Sequence, residues 1–599
     1  MSLSFEQKLP TELVEHIISF ACRNSLRSLC LTSKTLNRLA TPYLYSEIYL
    51  KETDRLPALA HLIFTSPTHA ALVKSFIVPT TWEVLEESEH DSSWPGFEDS
   101  DFHGVLKAKC SEYASNDEEA DGFHRMIQSA KSEDAIMALL LVSLPKLRRL
   151  NINFGIGSGH DDFSLLWPRI MDMIRSRGEP LANGTRRLPT DAQQGMQLDA
   201  VSEPIDIMVT GSNTKYSNNT THLAAFFHLP NLRCIYAWKQ GDGEDAMTDT
   251  PFAKLKPRSC PVEYVELRCS KLSIQNFTYL LDATVPGKLK TFSYEIGGAW
   301  AWCHTEHPVI MRSLQPHHET LQALGLSHES FYPYAVSDAG EKPYPCSFTS
   351  FTALKRLKLA PVYIWGHQGV MEQDIIEAPR SKEKLWSALP RNLEELWITR
   401  AQNQNPRRSN ADVTFVPNCL LPALDRVVQH KQDAVPKLQH LLVEFPLMNW
   451  EDEWIDALAS ICRAAAAQNI QTTLIACDMF SEFGPITAER HWGWNEDIKW
   501  EPTRYSLNRE CAKVTIDATQ QEHLGQILKD MKARFEEEHE RYREAKLEIR
   551  SLGHLCTACQ LDPEYDASRA IGRPERFVDE RLGKEPYWRG REGRPDVVT

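Results

Sequence analysis

The sequence predicts an α/β chain: a small N-terminal helical module, a long solenoid of strand-bearing repeats, and a charged C-terminal helix. Three observations carry this. Leu9 to Leu50 shows apolar residues at helical spacing within tight punctuation; an L-x-x-L-x-L unit recurs from about residue 70 to 480; and Leu524 to Leu552 places apolar residues three and four apart in a charged background. The domain expectation is 1–50 for the helical module and 51–515 for the repeats, with loop insertions near 83–122 and 178–217. A charged amphipathic helix over 516–560 and a disordered tail over 561–599 complete it.

In the first stretch, Pro10 fits the first turn of a helix, where a missing N–H is no loss. Leu13, Ile17 and Phe20 then recur with Val14 and Ile18 beside them, enough for about three turns. Asn24-Ser25 is read as the break. Leu26, Leu29 and Leu31 form a second short apolar face, and Ser33 can cap a third helix that carries Leu36 and Leu39 and stops at Pro42. Three short helices bury too little surface to be very stable alone.

These residues, from Leu9-Pro10 and Glu12-Leu13 through Leu26, Leu29, Leu31, Ser33-Lys34 and Leu36 to Leu44-Tyr45, resemble the F-box in the form common in fungal proteins. Ser25 stands where an acidic residue is frequent, and Thr32 where valine is frequent. The resemblance implies a Skp-type adaptor as partner and, through it, a cullin-RING ubiquitin ligase. It implies adaptor contact and module folding for Leu9, Pro10, Leu13, Ile17, Leu26, Leu29 and Leu31. A competing reading makes the same helices a plain cap on the downstream domain.

The repeat begins at Val73, Phe76 and Val78 and returns at Leu147, Leu150 and Ile152, then at Leu232, Ile235 and Ala237. From Val262 its first positions are 262, 289, 321, 354, 393 and 438. Several copies open with a proline phrase: LPKLRRL, LPNLRCI, LPRNLEEL and VPKLQHL. This spacing suits a short strand whose alternate side chains enter a core, the first apolar residue filling the preceding turn. The chain thus resembles an irregular leucine-rich repeat protein, with intervals more uneven than the ~20–29 residues of regular families. The long gaps between 73, 147 and 232 require missed units or insertions. Spacer helices are expected at 162–176, 274–282 and 453–467, on the convex side. The side chains flanking the inward pair would then face a concave surface, with Tyr236, Trp238, Arg268, Lys358 and Trp397 as candidate contacts to a target protein. Packing against helices or loops is the competing account of the same residues.

Composition narrows the function. Lys+Arg 66 against Asp+Glu 81 gives a net charge of −15, without the positive field that draws nucleic acid or an anionic membrane. The 14 cysteines follow no framework, the N-terminus lacks the apolar core of a secretory signal, and an intracellular location, cytoplasmic or nuclear, is expected. The apolar run Ala135 to Leu144 is too short to span a bilayer.

Catalytic and cofactor patterns fail in detail. Gly155-Ile156-Gly157-Ser158-Gly159 lacks the later glycine of a dinucleotide fingerprint and the Gly-Lys-Ser/Thr of a P-loop. Asp117 to Gln128 lacks the final glutamate of a calcium loop. Cys303, His304, His307, His317 and His318 match no zinc spacing, and His554, Cys556 and Cys559 provide half a site. Trp492, Trp494 and Trp500 suggest a cap or an aromatic contact surface. No catalytic residue, metal or cofactor is expected. The resulting expectation is a non-enzymatic substrate receptor of an SCF-type ubiquitin ligase, with a protein-binding scaffold outside any ligase as the alternative.

Overall fold

The computed structural model describes residues 9–50, 55–78, 100–114, 116–128, 133–153, 204–210, 218–242, 250–297, 307–328, 347–365, 384–399, 416–445, 447, 450–476, 512–516, 523–533 and 536–537. The chain divides into two compact units, Met1–His328 with Tyr334–Ala339, and Glu329–Pro333 with Gly340–Thr599.

The first unit opens with helices α1 (Thr11–Ser19), α2 (Arg23–Thr32) and α3 (Lys34–Ser46). The break after α1 falls at Phe20 to Cys22, ahead of the expected Asn24-Ser25. Ser33 caps α3 as its position suggested, its hydroxyl accepting from the Leu36 amide at 3.1 Å. Pro42 does not stop α3, which runs on to Ser46. Proline removes one amide from the ladder, and here the exposed side of the helix absorbs that loss.

A parallel sheet follows: β1 (Glu47–Tyr49), β2 (Ser75–Val78), β3 (Arg149–Asn153), β4 (Ile205–Thr210), β5 (Leu232–Trp238), β6 (Tyr264–Ser270), β7 (Thr291–Ile296) and β8 (Ala323–His328), adjacent in sequence order. One register runs across it, Ile48↔Phe76↔Leu150↔Ile207↔Ile235↔Val265↔Phe292↔Leu324. All eight are buried. The residue three positions ahead fills a turn where it was expected: the amides of Val73, Leu147 and Leu232 donate to carbonyls three residues back. Because β1 belongs to the sheet, the helical module and the sheet meet before residue 50.

Two expected loop insertions contain regular structure. Within 83–122 lie α5 (Ser100–Tyr113) and the start of α6 (Asp117–Gln128), which follow α4 (Leu56–Thr65) and precede α7 (Glu133–Val142). Phe102, Leu106 and Cys110 are buried at i, i+4, i+8, and Ala120 and Phe123 at i, i+3, so a helical period runs beneath the acidic composition. Within 178–217 lies β4, where Ile205, Ile207 and Val209 alternate inward. It supplies a unit missing between 147 and 232. Helix α8 (Ile274–Ala283) matches the expected spacer, with Ser273 accepting from the Asn276 amide at 3.2 Å and Phe277 packed edge-on against Phe292, ring centroids 5.7 Å apart.

The second unit carries β9 (Arg356–Leu359), β10 (Glu395–Ile398), β11 (His440–Phe445) and β12 (Gln471–Ala476) as parallel neighbours in register Leu357↔Leu396↔Leu441↔Thr472. An antiparallel β13 (Ala512–Ile516) closes the series against β12. Helix α9 (Asp452–Ala467) occupies the expected spacer. A helix over 524–533 lies against it: Leu524 and Leu528 are buried, Lys529 meets Asp456 at 2.7 Å, and the Lys532 ammonium donates to the Trp450 carbonyl at 2.7 Å. The predicted helix over 162–176, the Gly155–Gly159 turn, the three tryptophans near 492–500, Cys556, Cys559 and the tail 561–599 lie outside the described residues.

Candidate docking surface

Helical geometry sorts the apolar residues of α1 into two faces. Val14 and Ile18 point inward and join Leu26, Leu36, Leu39 and Ala40 in a small core, with Leu9, Ala21, Leu29, Cys30, Tyr43 and Leu44 packed around it. Leu13 and Ile17, one position earlier in each turn, point outward and are 51% and 50% exposed; Phe20 is 78% exposed and Leu31, at the end of α2, 82%. Among the described residues these four and Tyr279 are the large hydrophobics left exposed. Single exposed leucines mean little, but four large apolar side chains left in water on one module of three short helices are more than scattered exposure accounts for, and such exposure marks interaction surfaces.

The seven residues tied to the adaptor therefore divide. Leu13, Ile17 and Leu31 are exposed contact candidates, as is the exposed Pro10, which precedes α1 with extended ψ of 147°. Leu26 is buried, while Leu9 and Leu29 are half-buried against the core. These three contribute to the packing of the module. Phe20, part of the helical pattern, is a further exposed candidate, its ring edge-on to His16 at 4.9 Å.

The residues expected on a concave target-binding face behave differently. Tyr236, Trp238, Arg268, Lys358 and Trp397 are all 5% exposed or less. The expectation of an open face fails because both parities of the strands are buried, β6 and β7 along their whole lengths. In the first unit, Arg268 approaches Glu295 at 3.9 Å, the Cys269 thiol donates to Glu295 at 3.2 Å, and the Tyr264 hydroxyl donates to Glu266. In the second, the Lys358 ammonium lies 3.4 Å from the centroid of the Trp397 ring. In each unit these side chains are buried among their neighbours in this structure. Burial raises the phenol pKa of Tyr236 and of Tyr264, so both stay protonated, and Tyr264 donates to Glu266.

Of the histidines weighed as metal ligands, His317 is buried and hydrogen-bonds the Thr284 hydroxyl through Nε2 at 2.8 Å. Among the described residues no cluster of three or more His, Cys, Asp or Glu could hold a metal, and no helix is long and apolar enough to cross a membrane.

The family model that matches is F-box-like, over residues 7–51, the span of α1 to β1. Comparison with curated proteins returns no match.

Proposed function

We propose that this chain is the substrate-recognition subunit of an SCF-type ubiquitin ligase. Its F-box-like module holds a Skp-type adaptor and, through it, a cullin-RING assembly; its repeat region, read as irregular leucine-rich repeats, holds a target protein. The observation that carries the reading is the coincidence of the F-box-like match with the outward Leu13, Ile17, Phe20 and Leu31. A solvated module of this size has no internal reason to leave four large apolar side chains in water, whereas each is worth about 1.5–3 kcal/mol when a partner covers it fully.

In this role the chain makes and breaks no bonds. It raises the effective concentration of target lysines beside the charged conjugating enzyme, and the ligase's other subunits transfer ubiquitin. The parallel strands of each unit, several entered through the same turn, support the repeat reading. The test is co-purification of the full chain with a Skp-type adaptor, repeated with Leu13→Asp/Ile17→Asp. Loss of the adaptor in that variant is expected. Retention of the adaptor by it, or absence of the adaptor from the unaltered chain, overturns the reading and leaves a scaffold outside any ligase.

A further inference from the structure

The docking module is an island of the wrong sign. In a chain of net charge −15, no Asp or Glu occurs from His16 to Ser46, while Arg23, Arg27, Lys34 and Arg38 do, all exposed. Among the described residues none of the four makes a salt bridge. Their placement is unfavourable to the module by itself. Arg23 and Lys34 are the first residues of α2 and α3, where the helix dipole already presents partial positive charge, and neither helix has an acidic residue in its first turn. Arg23 and Arg27 are four apart on one helix, as are Lys34 and Arg38, so like charges face each other within each pair.

The same spacing ties charge to the apolar contact. Arg23, Arg27 and Leu31 fall at i, i+4 and i+8, one stripe along α2 that ends in the most exposed of the five large apolar side chains. By contrast, Glu12 and Glu15 belong to α1, so the two flanks of the site differ in sign.

We infer that the Arg23–Arg27–Leu31 stripe of α2 is an electrostatic guide for an acidic partner surface: the adaptor must carry carboxylates facing Arg23 and Arg27 beside the apolar socket that takes Leu31. This rests on the docking reading of the module and adds the sign and location of charge on the partner. Complementary charge of this kind acts chiefly on the rate of encounter and on orientation, and salt weakens it. The self-repulsion within α2 is relieved when the partner's carboxylates arrive.

The test measures association and dissociation rates of the full chain with a purified Skp-type adaptor between 50 and 500 mM salt. The association rate should fall at least tenfold across that range, with dissociation much less affected. Arg23→Glu/Arg27→Glu should lower the association rate at least tenfold at 50 mM salt and flatten its salt dependence. The melting temperature of this variant should not drop, because the change removes like-charge and dipole conflicts; a binding loss accompanied by unfolding counts against the inference, and Arg23→Gln/Arg27→Gln with an intermediate rate and intact fold supports it. Salt-independent association, or unchanged association in the double Glu variant, overturns the guide while the docking reading stands. Failure of the unaltered chain to bind the adaptor at every salt concentration overturns both.

Discussion

At the scale of single residues, neighbouring positions in one helix have opposite consequences. Leu13 and Val14 are both apolar, yet one faces water and the other the core. Leu13→Asp should leave the melting temperature within about a degree, since a surface change away from special features is worth under about 0.5 kcal/mol. It should weaken adaptor binding at least tenfold, measured by calorimetry. Leu26→Ala should do the reverse in order: a cavity in a small core costs about 2–5 kcal/mol, read as lost stability of the module first and lost binding second. His317 gives a pH prediction. Burial lowers its pKa to about 4 from an ordinary value near 6.5, and Thr284 donates its own hydroxyl to the Leu281 carbonyl at 2.6 Å, so His317 donates from Nε2. As pH falls below 6.5 the unfolded chain takes up a proton that the folded chain refuses until about 4, so stability is full above 6.5 and declines between those values, by up to about 3 kcal/mol. His317→Gln, whose amide can still donate to Thr284, should remove that decline; an unchanged pH profile of thermal unfolding would refute the assignment.

At the scale of elements, capping and periodicity explain most of what could be read in advance. Among the described residues of the three-helix module Ser33 alone caps a helix through its side chain, and α2 and α3 join with no intervening loop beyond it. Ser33→Ala should cost about 1 kcal/mol, seen as a lower melting point of the module, whereas Ser33→Asp should restore the cap and ease the positive N-terminus of α3. The strands that begin with a leucine phrase were legible because their first apolar residue marks the turn and their next two mark the inward face. Strand β4 lacks that phrase and hid in a polar stretch; its Ile205, Ile207, Val209 alternation was the available signal. Helices α5 and α6 were obscured by composition, since Glu and Asp on their outer sides outweighed Phe102, Leu106 and Phe123 in a reading by polarity. The apolar face of α1 was legible as a pattern, but spacing alone could not say which of Leu13 and Val14 turns inward. That choice belongs to α2 and α3, whose Leu26, Leu36 and Leu39 determine where the core lies. Arg268 and Lys358 were misplaced for a related reason. Strand alternation correctly put them on the face opposite the leucines, but whether a face is open depends on what packs over it, which no single strand encodes.

At the scale of the whole molecule, the joint between the helical module and the parallel sheet decides how either can be studied. Glu47, Ile48 and Tyr49 pair in parallel with Ser75, Phe76 and Ile77, and the Leu50 amide donates to the Ile77 carbonyl at 2.9 Å. The last residues of the F-box-like span are therefore the edge strand of the array, and Ile48 and Leu50 are buried in it. Removing residues 1–50 would strip β1 and present the backbone of β2 as an unpaired parallel edge, a template for association with other copies. Removing only 1–46 leaves β1 in place. The shorter truncation should keep the oligomeric state of the full chain and unfold near its melting point, while the longer one should melt lower and show concentration-dependent aggregation by light scattering. Both lose α1 to α3, so both should lose the adaptor; only the shorter can then report whether a target is held by the repeats alone. Equal behaviour of the two truncations would mean that β1 contributes nothing to the array and that the module is joined to it as a tether. If they differ as expected, the helical module is anchored by a strand it shares with the sheet, since α3 runs directly into β1 and β1 pairs with β2.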